Sequence, residues 1–378
     1  MTAPLTLASL TLREIRLPLR EPFRISSGVT SERRILLLEL VDGDGTTTWS
    51  ECVAGELPNY SAETVDTAWL ALRQWLAPRL LGQPIARAAD VRARLDHDLR
   101  GHPMAKAALE MGMWALEATR AGVSLATHIG GTRTSIEAGV SIGIQASPDA
   151  LAARMVVARE AGYQRLKAKI APGADVAFIA AAREAVGPTP RLSVDANAAY
   201  TLADADTLQQ LDAFNLLYIE QPLGQDDLVR HATLQQRLRT AICLDESILD
   251  EARTEDMHTL GSGRVVNIKP GRVGGFAVSR AIHDFCLARG TPVWCGGMLE
   301  SGIGRAYNVA LASLPGFTLP GDLSPSARYW TEDIVTPEWT MSATGMVRVP
   351  HEQVGLGVSV RMDRVDALTL RHERLGAP

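Results

Sequence analysis

Apolar and polar positions alternate from Thr6 to about Asp42, with a polar break at Ser26-Ser-Gly-Val-Thr-Ser31. A period of two predicts strands. Leu36-Leu-Leu-Glu-Leu40 runs into the turn signal Gly43-Asp-Gly45, and Thr46-Thr-Thr-Trp-Ser50 resumes the alternation, which predicts a small antiparallel meander. Three helical patterns follow. One is capped by Ser61 and reaches about Leu81, a second spans about Ala86 to Leu99, and a third spans Met104 to Arg120. The third places Met104, Ala107, Ala108, Met111, Trp114 and Ala115 on one face, which reads as core.

From about Gly130 the pattern changes to short apolar runs alternating with helical stretches. A strand over Ile136 to Ser141 precedes a helix from about Pro148 to Ala161. Five runs then end in charged residues: Arg165-Leu-Lys-Ala-Lys-Ile170, Leu192-Ser-Val-Asp195, Leu217-Tyr-Ile-Glu220, Ile242-Cys-Leu-Asp245 and Val265-Val-Asn-Ile-Lys269. From Lys169 through Asp195, Glu220 and Asp245 to Lys269 the spacings are 26, 25, 25 and 24 residues. That period suits one strand, one helix and two loops. Helices over Asp175 to Val186 and Asp204 to Leu211, a strand near Thr291 to Trp294 and a last strand near Phe317 to Asp322 complete the pattern. The predicted class is α/β: a (β/α)7β TIM-like barrel with an α+β capping domain. Residues 1–130 form the main part of the cap, 131–325 the barrel, and 326–378, including Gly355-Leu-Gly357, return to the cap.

Composition narrows the function without naming it. The 378 residues are 46% hydrophobic, and 38 basic against 43 acidic residues leave a net charge of −5. There is no basic footprint for nucleic acid. The opening apolar run lacks a preceding positive region and is followed by Arg13, Arg16 and Arg20, so a strand fits better than a signal peptide. Ala306 to Gly321, a charge-free run, is interrupted by two prolines and is too short to span a membrane. Cys52, Cys243, Cys286 and Cys295 show no C-x-x-C pairing, which argues for reduced thiols and a cytoplasmic location. The histidines have no zinc-ligand spacing, and no Walker-type loop occurs.

Barrel active sites lie at the C-terminal ends of the strands, where each charged residue of the ladder stands. Adjacent strands are ~4.8 Å apart, so Asp195, Glu220 and Asp245 can converge on one cation. Three hard oxygen donors favour Mg²⁺, with Mn²⁺ or Co²⁺ as alternatives. Lys167 and Lys169 share one face of their strand, and Lys269 flanks the other side of the trio. Like charge, burial and the metal together are expected to lower one amine toward the range of a general base. A substrate carboxylate on the cation would present its α-carbon between two bases, and abstraction of that proton gives an enediolate whose charge the metal offsets.

This Lys-x-Lys, Asp/Glu/Asp and strand-end lysine set resembles the enolase superfamily, in its muconate-lactonising subgroup. The strings Leu192-Ser-Val-Asp-Ala-Asn-Ala-Ala-Tyr-Thr-Leu202, Tyr218-Ile-Glu-Gln-Pro-Leu223, Cys243-Leu-Asp-Glu-Ser-Ile248, Asn267-Ile-Lys-Pro-Gly-Arg-Val-Gly-Gly275 and Val293-Trp-Cys-Gly-Gly-Met-Leu-Glu-Ser301 narrow the resemblance. They are similar to the N-acylamino acid racemases that also act as o-succinylbenzoate synthases, and Gly101-His-Pro-Met-Ala-Lys-Ala-Ala-Leu-Glu-Met111 extends the likeness into the cap.

The resemblance implies Lys169 and Lys269 as the acid/base pair and Asp195, Glu220 and Asp245 as metal ligands. Lys167, Asn197 and Arg272 would support them. For Asn197 the alternatives are a substrate contact or support of Asp195; for Arg272, electrostatic control of Lys269 or a surface salt bridge. Phe23, Ser27, Gly55, Tyr60, Ser141, Gly296, Met298 and Glu300 are the implied substrate contacts. Ser27 and Gly55 stand where the family carries bulkier apolar residues, which would enlarge the pocket or admit solvent. The implied partner is a small carboxylate substrate, and a homo-oligomer, an octamer among the forms, is implied as well.

Rival activities would call for other residues at the same strand ends. A sugar-acid dehydratase would need a His in Thr291-Pro-Val-Trp-Cys295, and a dipeptide epimerase an Asp-x-Asp where Pro320-Gly-Asp-Leu-Ser-Pro-Ser326 has one Asp. o-Succinylbenzoate synthesis needs the same lysines and metal and stands as the alternative, alone or beside racemisation. A silent barrel would carry five buried charges at a cost to stability with nothing to offset it.

Overall fold

The computed structural model describes residues 4–376. Three long strands, β1 (Leu5–Ile25), β2 (Gly28–Asp42) and β3 (Thr47–Cys52), form an antiparallel meander, and β1 and β2 extend past the body of the sheet to a turn at Ser26 and Ser27. Strand β3 pairs only with β2.

The helices that follow are shorter than the apolar pattern predicted. Ser61 does not cap the first one: its hydroxyl turns back to the Glu63 N–H, and Thr64 forms a capping box with Thr67 at the start of α1 (Val65–Ala71). The chain then passes through a π-helical turn over Leu72–Leu76 and a 3-10 turn containing Pro78, whose missing N–H ends the regular helix. In the second pattern only α2 (Val91–Asp96) is α-helical.

Helix α3 (Pro103–Arg120) matches its pattern and is buried almost all round, because it lies between the meander and the barrel. Small residues permit the close approach. A Cβ on Gly112 would lie 2.8 Å from Leu40 Cδ1.

Seven strands form one parallel sheet in sequential order: β4 (Gly139–Ile142), β5 (Arg165–Lys169), β6 (Leu192–Asp195), β7 (Ile219–Glu220), β8 (Ile242–Leu244), β9 (Val265–Ile268) and β10 (Val293–Cys295). Helices α4 (Pro148–Glu160), α5 (Val176–Val186), α6 (Ala205–Gln210), α7 (Leu228–Arg237), α8 (Glu251–Leu260), α9 (Phe276–Ala288) and α10 (Gly302–Ala312) come between or after them.

The predicted eighth strand is not a regular strand. Residues 317–322 make single parallel bridges, Val293 to Phe317 on one side and Ala138 to Gly321 on the other, so this segment spans the gap between β10 and β4. Pro320 lacks the N–H that a continuous ladder requires. The predicted first strand is divided in two: Ser135–Glu137 pairs antiparallel with Met346–Arg348, and only β4 joins the barrel.

The last strand, β11 (Thr369–Gly376), pairs antiparallel with β1. Buried carboxylates tie the meander and α3 to the barrel. Glu110 of α3 accepts from the N–H groups of Phe276 and Ala277 at the start of α9. Glu51 of β3 accepts from Ser301 and Gly304 at the start of α10. Each carboxylate satisfies N–H groups that the first turn of a helix leaves without partners. All four cysteines are buried free thiols, and among the described residues no helix is long and apolar enough to cross a membrane.

Candidate active site

Strand geometry gathers the charged ladder at one end of the barrel. Along β5 every second residue points inward, which stacks Arg165, Lys167 and Lys169 from the floor of the barrel to its mouth. Parallel pairing sets Lys169 opposite Asp195, Asp195 opposite Glu220, and Glu220 opposite Cys243, two residues before Asp245. Lys269 follows β9. The sheet order therefore puts Lys169 and Lys269 on opposite flanks of the three carboxylates. Asp195, Glu220 and Asp245 have essentially no exposure, at 1%, 0% and 0%, whereas Lys169 and Lys269 retain 9% and 6%.

Each lysine holds a carboxylate. Lys169 Nζ lies 2.5 Å from Asp195 Oδ2 and 2.6 Å from Asn197 Oδ1. Lys269 Nζ lies 2.8 Å from Asp245 Oδ2 and 3.0 Å from Tyr60 Oη, over whose ring it also sits. Lys167 Nζ donates to Glu220 and Asp322, both at 2.8 Å.

The protein groups around Lys269 and Lys167 act against the expected fall, to which a bound cation would contribute. Burial pulls Lys269 down, but Asp245, Tyr60 and Glu246 outweigh it and hold the amine well above its usual value. Lys167 behaves alike: burial is outweighed by Asp322, Glu220 and Asp195. Carboxylates outnumber the amines here, so opposite charge prevails over like charge.

Neighbouring residues fix this arrangement. The Asn197 N–H donates to Asp195 Oδ1 at 3.0 Å and its side-chain amide reaches Glu246 at 3.0 Å, and the residue also lines the cavity into which both lysines open. Arg272 is 4% exposed, pairs with Asp245 Oδ1, and donates to the Ile248 and Asn267 carbonyls. A surface salt bridge is thereby ruled out. Gln221 Oε1 accepts from the N–H groups of Asp245 and Ser247 and locks the end of β8. Asn197, Ala198, Gln221 and Leu299 all take positive φ at the barrel mouth, a conformation that costs energy without glycine.

A cavity of about 330 Å³ lies between the meander and the barrel mouth, and both Lys169 and Lys269 open into it. Phe23, Gly55, Tyr60 and Met298 line it as well. Ser27 faces an adjoining polar space with Asn197 and Glu246. The other three implied contacts do not face the cavity. Ser141 is buried beside β5, with its hydroxyl unpartnered. Glu300 accepts from the Met298 N–H and from Asn308, which holds the loop after β10 in shape. Gly296 lies behind Lys269; a Cβ there would be 2.7 Å from Lys269 Cε.

Sequence reasoning missed a buried network beneath the site. Asp322 pairs with Arg165 as well as Lys167, Arg165 donates to Tyr218 Oη at 2.7 Å, and both cations lie against the Trp294 ring. The period-two alignment of Arg165 with the two lysines was its available signal. Asn267, whose side chain donates to Glu220 Oε1 at 2.8 Å, was missed too.

The donors suit a divalent cation. All three are carboxylates from adjacent strands, and Glu220 is held above the usual carboxylate range by burial and by Asp195, with Asp245 adding to it. That crowding of negative charge is what a hard cation relieves. Among the described residues no three His, Cys, Asp or Glu side chains are drawn together closely enough to encircle an ion as they stand; the lysine ammonium groups occupy the carboxylate oxygens.

A larger groove, about 670 Å³, lies on the other side of Phe23, between Arg20–Arg24 and α4, and neither Lys169 nor Lys269 lines it.

Comparison with known proteins agrees with this architecture. Residues 8–130 match the mandelate racemase/muconate lactonizing enzyme N-terminal domain, and residues 150–364 the enolase C-terminal domain-like family. The chain is 48% identical to an o-succinylbenzoate synthase of Geobacillus kaustophilus, over 95% of this chain and 94% of the relative. It is 46% identical to an N-succinylamino acid racemase of Amycolatopsis, over 98% and 100%. A solved enolase-superfamily structure from Listeria innocua superposes with a TM-score of 0.94 at 38% identity, covering 98% of this chain and 99% of that one. Enzymes of this superfamily generally use a divalent metal, typically Mg²⁺. With both of its parts matched and its strand-end charges in register, this chain belongs to the enolase superfamily.

Proposed function

We propose that this protein racemises N-acyl α-amino acids, N-succinyl derivatives foremost, by 1,1-proton transfer between Lys169 and Lys269. One observation carries the reading: both amines open into a single cavity from opposite flanks of the carboxylate trio. An α-carbon held between them meets a base on each face, and proton loss to one lysine followed by return from the other inverts it. Asp195, Glu220 and Asp245 would hold the metal. A divalent cation there, Mg²⁺ first and Mn²⁺ or Co²⁺ as substitutes, supplies the positive charge that lowers the α-proton's pKa as negative charge builds on the substrate carboxylate.

The protein's own groups do the rest. Tyr60 donates to Asp245 and accepts from Lys269, and so steers that amine. Asn197 steers Lys169. Lys169 and Lys269 each rest on a carboxylate of the trio, and a metal held by Asp195, Glu220 and Asp245 would supply the counter-charge those carboxylates otherwise take from the amines. Phe23, Ile25 and Met298 exclude water on one side.

The second reading is o-succinylbenzoate synthesis, favoured by the names of several relatives. There Lys169 would take the proton and Lys269 would steady the charge while water leaves from the same face.

The test is exchange of the α-proton into D₂O with each enantiomer of N-succinylphenylalanine and Mg²⁺. Lys169→Ala and Lys269→Ala are each expected to abolish exchange of one enantiomer more severely than the other. EDTA should stop exchange and added metal restore it. Exchange that persists in both variants would overturn the assignment. Conversion of the cyclohexadiene precursor to o-succinylbenzoate, compared by kcat/KM, ranks the two activities.

A further inference from the structure

Arg33 stands apart from the other arginines of the cap. It projects from β2, is only 7% exposed, and lines the same cavity as Lys169 and Lys269. Its neighbour Arg34 is paired with Glu14 and Asp66. Arg33 makes no such pair among the described residues. One terminal nitrogen donates to the Val53 and Ala54 carbonyls, at 3.0 and 3.3 Å, while Nε is buried without any partner. The other terminal nitrogen, Nη1, has no hydrogen-bond partner among the described residues and lies beside Gly55, where a Cβ would come within 4.0 Å of it.

A buried guanidinium with an idle Nε–H and an unpaired charge is costly unless an anion arrives to meet it. Burial lowers the Arg33 pKa, with Glu51 and Glu300 only partly offsetting it. The carbonyl contacts of Nη2 fix the plane of the guanidinium, which leaves the Nη1 N–H groups as the donors for a carboxylate oxygen in the cavity. Part of the wall is apolar, formed by Phe23, Ile25, Leu57, Met104, Met298 and Leu299, while Glu32, Glu56 and Glu63 line the cavity as well. Methylene groups can lie there, and the charged end of a chain cannot.

The relatives' names share one chemical element. N-succinylamino acids and o-succinylbenzoate both carry a carboxylate two methylenes from a carbonyl. Such substrates are dicarboxylates, with one carboxylate at the reacting end and a second at the far end of the acyl chain.

We propose that Arg33 binds this second carboxylate, and so makes the site selective for dicarboxylic substrates over N-acyl compounds with neutral acyl chains. The assignment rests on the reading of the site as one that acts on acyl carboxylates, and it adds the residue that reads the acyl group. The carboxylate at the reacting end belongs to the lysine side of the cavity, and the acyl carboxylate to the meander side. Gly55, with no side chain, leaves the approach to Nη1 open.

The experiment compares N-succinylphenylalanine with its N-succinamoyl analogue, in which an amide of the same shape replaces the far carboxylate. The wild-type enzyme should prefer the succinyl compound about 10- to 100-fold in kcat/KM, the worth of a charge-assisted pair. Arg33→Gln should cut that preference at least tenfold, mainly through KM. Arg33→Lys, which keeps the charge but not the carbonyl-fixed guanidinium, should fall between, and it serves if the glutamine variant does not fold.

A wild-type preference below threefold overturns the proposal. So does a preference that Arg33→Gln leaves unchanged while both substrates decline together, since Arg33 would then only hold the 53–54 loop. Should the wild type exchange neither compound, the racemase reading fails on its own. Calorimetric binding of o-succinylbenzoate and its succinamide analogue then applies the same ratio to Arg33.

Discussion

Replacing Asp322 by Asn tests how the floor of the barrel carries its charge. The side chain is the shared counter-ion of Arg165 and Lys167, both buried. Asn has the same shape, so no cavity opens and the charge alone is lost. Lys167 keeps Glu220 at 2.8 Å, but Arg165 retains only the Tyr218 hydroxyl and the Trp294 face. Removing one partner of a buried ion pair costs about 3–5 kcal/mol, and most of that should fall on Arg165. Urea-induced unfolding at neutral pH would read the loss directly.

The dependence on pH follows from the carboxyl. Burial raises the Asp322 pKa, but Lys167 and Arg165 dominate and hold it below its usual value. The stability it contributes is therefore fully present above the unfolded pKa of about 3.9 and is lost as pH falls through the folded value. The gap between wild type and Asp322→Asn should stay constant from pH 5 to neutrality and close only in stronger acid. A double-mutant cycle with Arg165→Met should return a coupling of at least ~2 kcal/mol, since removing both partners leaves no orphan charge. A single-variant loss under ~1 kcal/mol, or simple additivity in the cycle, would refute the reasoning.

Two further outcomes follow from the geometry. Glu110, buried and capping α9, is pushed up to about 7 by burial, against the hydrogen bonds from Ala277, Phe276 and Trp114. The folded state thus holds this proton after the unfolded chain, at about 4.3, has released it. Wild-type stability should fall by roughly 3 kcal/mol between pH 4.5 and 7 on this account, and Glu110→Gln, compared by thermal melts across that window, should lack that slope. Gly296→Ala would set a Cβ 2.3 Å from Asn267 Oδ1 and 2.7 Å from Lys269 Cε. D₂O exchange should drop at least tenfold for the enantiomer facing Lys269 and much less for the one facing Lys169.

Much of this protein was legible along the chain because a parallel barrel repeats. One βα unit per ~25 residues writes a period that needs no tertiary information, and inward residues at strand ends must face each other once the sheet closes. Asp195, Glu220, Asp245 and the flanking lysines are therefore visible as a set. Helix lengths in the cap were less legible. Ser61 reads as the cap along the chain, but its contact with Glu63 and the capping box at Thr64 move the start, and the interruption near Pro78 moves the end.

What the linear pattern could not supply was charge balance and direction. It predicted an amine depressed in the company of a metal, and the assembled carboxylates by themselves raise Lys269, because net charge at a point depends on every strand that reaches it. It listed Glu300 beside Met298 as a pocket residue, yet the loop after β10 turns Glu300 back onto its own backbone. Arg33 and Asp322 gave no signal, since an arginine in an alternating strand and a lone aspartate near a proline look ordinary. Their standing comes from what lies across the fold, an empty partner position in one case and two buried cations in the other. Sequence by itself determined the barrel, its period and the residue types at its mouth, because these follow from local periodicity. Which of those side chains meet, which charges are compensated and which cavity they share depended on long-range packing, and only the tertiary structure decided them.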